Sequence, residues 1–153
     1  MSANLDARAF AEQWISDWNR RDVEAVLSHF SESVAFTSSR AKAILGSSRV
    51  DGKSRLREYW TTAISQIQTI RFTLSYVIRE AGRMAIVYIA EIDGKRLRAV
   101  EFLTFGEDGL VRLWDCFHGA DRLDVGEATA ASLAPLLSAE VSPTLGRAVR
   151  DWR

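Results

Sequence analysis

The chain has 153 residues, 47% hydrophobic and 26% charged, the size and balance of one globular domain that can bury its own core. Twenty basic residues cancel twenty acidic ones, so the cationic surplus needed for nucleic-acid binding is missing and two copies would repel each other little. One cysteine, Cys116, excludes an intrachain disulfide, the charged stretch Met1 to Trp14 does not read as a secretory leader, and the longest apolar run, Met84 to Ala90, is too short for a membrane span, so a cytoplasmic location without membrane contact is expected.

Phe10, Ala11, Trp14, Ile15 and Trp18 recur at helical spacing and predict an amphipathic helix from about Asp6 to Asn19. Asp22 suits the N-cap of a short second helix carrying Val23, Val26, Leu27 and Phe30. Val34 to Thr37 reads as a first strand, followed by a polar loop through Gly46-Ser47-Ser48 in which Arg40, Lys42 and Arg49 are expected to be solvated. After Asp51-Gly52 comes a third helix with Leu56, Tyr59, Trp60, Ala63, Ile64 and Ile67 on one side. The period then changes to two. Ile70 to Arg79, Met84 to Ile92, Lys95 to Phe105 and Leu110 to His118 read as four strands, with turns at Ala81-Gly82, Asp93-Gly94 and 106–109. Beyond Gly126, Ala128 to Leu137 suggests one further helix before Pro143.

Helices first and an antiparallel meander last indicate an α+β fold. The expected architecture is a cone of N-terminal helices packed on a curved, mainly antiparallel β-sheet, a cystatin-like roll. It would occupy residues 1–125, with 126–153 as a C-terminal extension.

Two carboxylates interrupt apolar alternation. Glu101 shares a strand face with Leu97, Ala99, Leu103 and Phe105, and Asp115 shares one with Val111, Leu113 and Phe117. If the turn pairs Phe105 with Val111 in a regular ladder, Glu101 faces Asp115, and two close carboxylates divide into a proton donor and an acceptor. If it pairs Phe105 with Leu110, then Trp114, Cys116 and His118 lie beside Glu101 and Asp115 turns outward. Face polarity favours the first register.

The element order and several motifs resemble the SnoaL-like branch of the nuclear transport factor 2-like superfamily. The matching stretches are Trp18-Asn19-Arg20-Arg21-Asp22, Phe30 with Val34-Ala35-Phe36, and Val50-Asp51-Gly52-Lys53 with Tyr59-Trp60. The last runs from Phe105-Gly106-Glu107-Asp108-Gly109 to Trp114-Asp115-Cys116-Phe117-His118-Gly119. That superfamily includes ketosteroid isomerases, polyketide cyclases, hydrolases and non-catalytic modules, so the resemblance implies a fold rather than a reaction. Leu113-Trp114-Asp115 resembles the His-Trp-Asp of the cyclases, which implies an acid/base role for Asp115, with Glu101 standing where they place a histidine. Compared with the isomerases, Glu101 falls at their protonated aspartate, Trp14 replaces their tyrosine donor, and Ser38 falls near their carboxylate base. Steroid isomerisation is not expected.

Asp115, Glu101 and His118 are therefore the candidate catalytic residues. Trp14, Trp18, Phe36, Ser38, Tyr59, Trp60, Tyr88, Leu103 and Phe117 are the candidate pocket residues. Cys116 reads as a packed thiol and His29 as a surface or capping residue. No glycine-rich phosphate loop and no cluster of metal-ligating residues stands in the sequence, so neither a cofactor nor a metal is expected. The expected ligand is a small hydrophobic carbonyl compound. The competing reading is a non-catalytic binding or dimerisation module, with a homodimer formed through the sheet.

Overall fold

The computed structural model describes residues 5–119. The domain boundary at residue 125 and the helix expected at Ala128 to Leu137 lie outside them.

Helix α1 (Ala7–Asn19) starts on Asp6, whose carboxylate accepts from the Arg8 and Ala9 amides, and it buries Ala11, Trp14, Ile15 and Trp18. Asp22 caps the short α2 (Val23–Leu27) through the Ala25 amide. Strand β1 (Phe30–Ser38) is longer than predicted at both ends. The expected polar loop contains a helix, α3 (Ser39–Leu45), and a short strand, β2 (Arg49–Asp51). The sequence carries the ends of α3: Ser38 accepts from the Arg40 amide, and Gly46 closes the helix at a φ of 76°, where only glycine is unstrained. Helix α4 (Lys53–Ser65) buries Leu56, Tyr59 and Trp60. Strands β3 (Ile70–Glu80), β4 (Arg83–Ile92), β5 (Lys95–Phe105) and β6 (Val111–His118) complete the elements, with Asp93 (φ 49°) and Gly94 (φ 79°) forming the predicted hairpin turn.

The six strands form one sheet in the order β2-β1-β6-β5-β4-β3, antiparallel except for the parallel β1–β6 pair. The predicted α+β class and mainly antiparallel sheet are thus present. Helix α1 is fastened to the edge strand by hydrogen bonding as well as packing. The Asn19 side-chain amide donates to Phe72 O (2.9 Å) and accepts from Phe72 N (2.7 Å), so it acts as a short surrogate strand. Arg21 donates to the carbonyls of Ile67 and Gln68, and Arg79 donates to Leu5 O. Asp17, 2% exposed on the same helix, accepts from Gln13 (2.8 Å) and Arg20 (2.6 Å) and contacts His29 Nε2 (3.2 Å), joining α1 to the start of β1.

The register of β6 decides which side chains face inward. Phe105 pairs with Val111, as expected, but Thr104 pairs with Leu113, so Arg112 is one residue too many in its strand. This β-bulge breaks the alternation. Val111 and Trp114 are buried while Arg112 and Leu113 between them are both exposed. Downstream of it Leu103 pairs with Trp114, Phe102 with Asp115 and Glu101 with Cys116. Trp114 thereby enters an aromatic cluster, with ring centroids 4.5 Å from Trp60, 4.6 Å from Phe30, 4.7 Å from Phe36 and 6.0 Å from Trp14. Most of these contacts are edge-to-face, the arrangement ring quadrupoles favour.

Trp114 is the common member of those contacts and is 2% exposed. Trp114→Ala is expected to lower unfolding free energy by about 3–5 kcal/mol, in the range of a large core truncation. Trp114→Phe keeps most of the packing and is expected to cost about 1–3 kcal/mol through the lost indole hydrogen bond. Urea unfolding of the two variants checks both values.

Candidate functional site

Between the inner face of the sheet and helices α1, α3 and α4 lies a cavity of about 370 Å³, within the range of small-molecule sites. Trp14 and Trp18 from α1, Phe36 and Ser38 from β1, Tyr59 and Trp60 from α4 and Tyr88 from β4 line it. Glu101 on β5 and Trp114, Cys116 and His118 on β6 complete the inner wall. The rim is formed by Arg40 and Ile44 of α3, Gln66 and Ile67 after α4, and Asp93 and Lys95 at the β4–β5 hairpin.

Glu101 is 2% exposed and has no cation against it among the described residues. Three neutral donors serve it instead. Tyr88 Oη donates to Oε1 at 2.6 Å, Cys116 Sγ donates to Oε1 at 3.2 Å, and Trp114 Nε1 donates to Oε2. Burial pushes the carboxyl up to about 7, against the pull of the Tyr88, Trp114 and Cys116 donors. Burial, reinforced by the Glu101 charge, also lifts the Tyr88 hydroxyl and the Cys116 thiol well above their ordinary values. Both therefore remain protonated donors at neutral pH. The Tyr59 hydroxyl is raised to about 12, chiefly by burial.

His118 lies 3.6–3.8 Å from Cys116 Sγ and is pushed down to about 4 by burial and by the positive charge of Arg40. It is a neutral imidazole at physiological pH. Two further donors are unused: the buried indole N–H groups of Trp14 and Trp18 have no hydrogen-bond partner among the described residues. The cavity is thus apolar in its bulk and, among the described residues, carries a single inner carboxylate.

Nine of the predicted site residues line the cavity: Glu101, His118, Trp14, Trp18, Phe36, Ser38, Tyr59, Trp60 and Tyr88. The other three do not. Asp115 stands opposite Phe102 on the outer face of the sheet, exposed, because the bulge at Arg112 shifts β6 by one residue. The expected Glu101–Asp115 pair is absent. For the same reason Phe117 points outward and is 57% exposed, while Leu103 is packed in the core away from the cavity wall. The neighbours of Glu101 are those of the register that face polarity disfavoured, Trp114, Cys116 and His118, and sequence reasoning missed Arg40 as a residue of the cavity rim. The Ser38 and Gly46 capping signals around 39–45 could have placed Arg40 on a helix.

The described residues contain no helix long and apolar enough to cross a membrane and no group of three or more His, Cys, Asp or Glu side chains suited to a metal ion.

Because Glu101 and His118 are shifted in opposite senses, their effects on stability oppose each other. Between about 4.5 and 7 the folded chain keeps a proton on Glu101 that the unfolded chain has released, so this residue makes stability fall as pH rises. Between about 4 and 6.5 the unfolded chain holds a proton on His118 that the folded chain does not, so this residue makes stability rise with pH. Urea midpoints measured from pH 4.5 to 7 are expected to acquire a positive pH slope relative to wild type in Glu101→Gln. They should acquire a negative relative slope in His118→Gln.

The family model described as a SnoaL-like domain matches residues 11–114. Comparison with curated proteins finds no match. Among solved structures, the chain is similar to a SnoaL-like protein of unknown function from Burkholderia thailandensis, with 26% identity and a TM-score of 0.70 over 78% of this chain and 98% of that one. It is similar in fold to a candidate ketosteroid isomerase from Kribbella flavida, with 20% identity, a TM-score of 0.62 and coverage of 76% and 80%. It is also similar in fold to TerC co-crystallised with polyporic acid, with 16% identity, a TM-score of 0.63 and coverage of 74% and 92%. The chain belongs to the SnoaL-like domain family, whose fold it shares with nuclear transport factor 2-like proteins.

Proposed function

We propose that the cavity takes up a small apolar carbonyl compound and that Glu101 moves one proton on it. The observation that carries this reading is the environment of Glu101: a buried carboxylate served by three neutral donors and held near 7, where both its protonation states are populated at working pH. Ionised, Glu101 can take a proton from the carbon beside a carbonyl group. The electron pair then moves onto the carbonyl oxygen, to which the protonated Tyr59 hydroxyl of the cavity wall can donate. Returning the proton to the same or a conjugated carbon completes an exchange or an isomerisation without a cofactor. The solved structure of TerC with polyporic acid is a precedent for an organic ligand on this fold, at an identity that supports the fold alone.

Incubation with a panel of apolar cyclic ketones such as 2-tetralone in D₂O, followed by mass spectrometry, measures the proton transfer. Exchange beside the carbonyl is expected to fall by about 10²-fold or more in Glu101→Gln and to be unchanged in Asp115→Asn. Undiminished exchange in Glu101→Gln would remove Glu101 from the chemistry and leave the non-catalytic reading.

A second reading concerns the opposite face of the sheet. Tyr76, Ile78, Phe102, Leu113 and Phe117 are each 50–58% exposed, and Phe102 and Phe117 are in edge-to-face contact at 5.7 Å. This apolar patch is larger than scattered surface residues would give, and Arg98 and Asp115 put both signs of charge on the same face. A two-fold pairing can match such a face to itself, and a chain of zero net charge opposes it little. We propose a homodimer through this face. Sedimentation equilibrium is expected to show a dimer that Phe117→Glu converts to monomer; a wild-type monomer at all concentrations would refute it.

A further inference from the structure

The charges at the cavity rim carry information about the ligand that Glu101 alone does not. Three rim residues are charged at neutral pH: Arg40, Asp93 and Lys95. Asp93 is committed to the fold, since its Oδ1 accepts from the amides of Gln68 (2.9 Å) and Thr69 (2.7 Å), closing the loop before β3. Arg40 and Lys95 are exposed, and among the described residues neither side chain has a hydrogen bond or an ion pair. Most other arginines of the domain are engaged, as Arg20 is with Asp17, Arg49 with Asp51, Arg57 with Glu24 and Arg112 with Asp108.

Arg40 is positioned to act inside the cavity as well as at its edge. It sits in the first turn of α3, which Ser38 caps, and Ser38 itself is a wall residue. Its positive charge reaches Tyr59, Tyr88, Cys116 and His118, drawing each of them downward against burial or in addition to it. Of these, Tyr88 and Cys116 donate to Glu101, and His118 adjoins Cys116. The wall between rim and floor carries the protonated Tyr59 hydroxyl, and the inner carboxyl is largely protonated below neutrality. At every depth the site thus favours acceptor atoms, and at its mouth it favours negative charge.

We infer that the cavity takes an apolar molecule bearing one anionic group, with the anion held at the mouth by Arg40 and Lys95 and the uncharged body inserted toward Glu101. This narrows the ligand class and rests on the cavity being a ligand site, as proposed above. A guanidinium can grip a carboxylate with two parallel N–H donors, so Arg40 is assigned the larger share of the selectivity.

Naphthalene-2-carboxylate and naphthalene-2-carboxamide share a shape and differ in charge, which makes them suitable probes. Binding is measured at pH 6 and low salt by quenching of cavity tryptophan fluorescence and by calorimetry. Wild type is expected to bind the carboxylate at least ten-fold more tightly than the amide. Arg40→Gln with Lys95→Gln should abolish that preference by weakening carboxylate binding at least ten-fold more than amide binding, and Arg40→Lys should retain part of it. Both substituted residues are exposed, so the fold is expected to tolerate them, and an unchanged urea midpoint reports that it has. Equal binding of the two probes by wild type, or a preference that survives in the double variant, would overturn this inference and leave the ligand cavity standing. Failure of wild type to bind either probe would count against both.

Discussion

Among the described residues Glu101 enters the interior without a counter-ion, and much of the site's design follows from how that cost is met. A buried carboxylate must be paired, hydrogen-bonded or protonated. Here it is hydrogen-bonded by Tyr88, Trp114 and Cys116, none of which supplies a full charge. Their combined pull does not overcome burial, so the carboxyl titrates near neutrality. A single Arg or Lys in place of any one donor would hold the group ionised and remove its ability to exchange protons at working pH.

Two of those donors, Trp114 and Cys116, are present because β6 is offset by one residue. The bulge at Arg112 brings Trp114, Cys116 and His118 to the inner face and sends Leu113, Asp115 and Phe117 outward. Packing supplies a reason for this choice. Trp114 fills a space bounded by Trp60, Phe30, Phe36 and Trp14, a burial that Leu113 could not match in volume. The same side chain thus fixes the core and completes the hydrogen bonds of Glu101.

Much of the fold was legible because periodicity and turn chemistry are local. The helical spacing of Phe10 to Trp18, the alternation of Ile70 to Ile78 and the Asp93-Gly94 turn each locate an element without reference to the rest. Glu101 was legible as a carboxylate interrupting an apolar stripe. Asp115 was misread on the same criterion, since alternation identifies an inner face only when the outer one is polar. The outer face of β5 and β6 carries Phe102, Leu113 and Phe117, so polarity could not separate the two faces, and a bulge has no dependable composition signal. Arg40 was missed because a seven-residue helix between two strands resembles a polar loop in composition.

Among the described residues two acids are each 2% exposed, and they are treated in opposite ways. Asp17 is given Arg20 at 2.6 Å, together with Gln13 and His29, all within its own helix and the segment that follows. Its charge has a permanent companion and its place in the molecule is that of a rivet between α1 and β1. Glu101 has no such companion among the described residues, so its charge is balanced there by a proton or by whatever occupies the cavity. Asp17 therefore serves as an internal reference for Glu101. Any treatment that disturbs both acids alike acts on the whole domain, whereas one that moves Glu101 and leaves Asp17 untouched reports on the cavity and its contents.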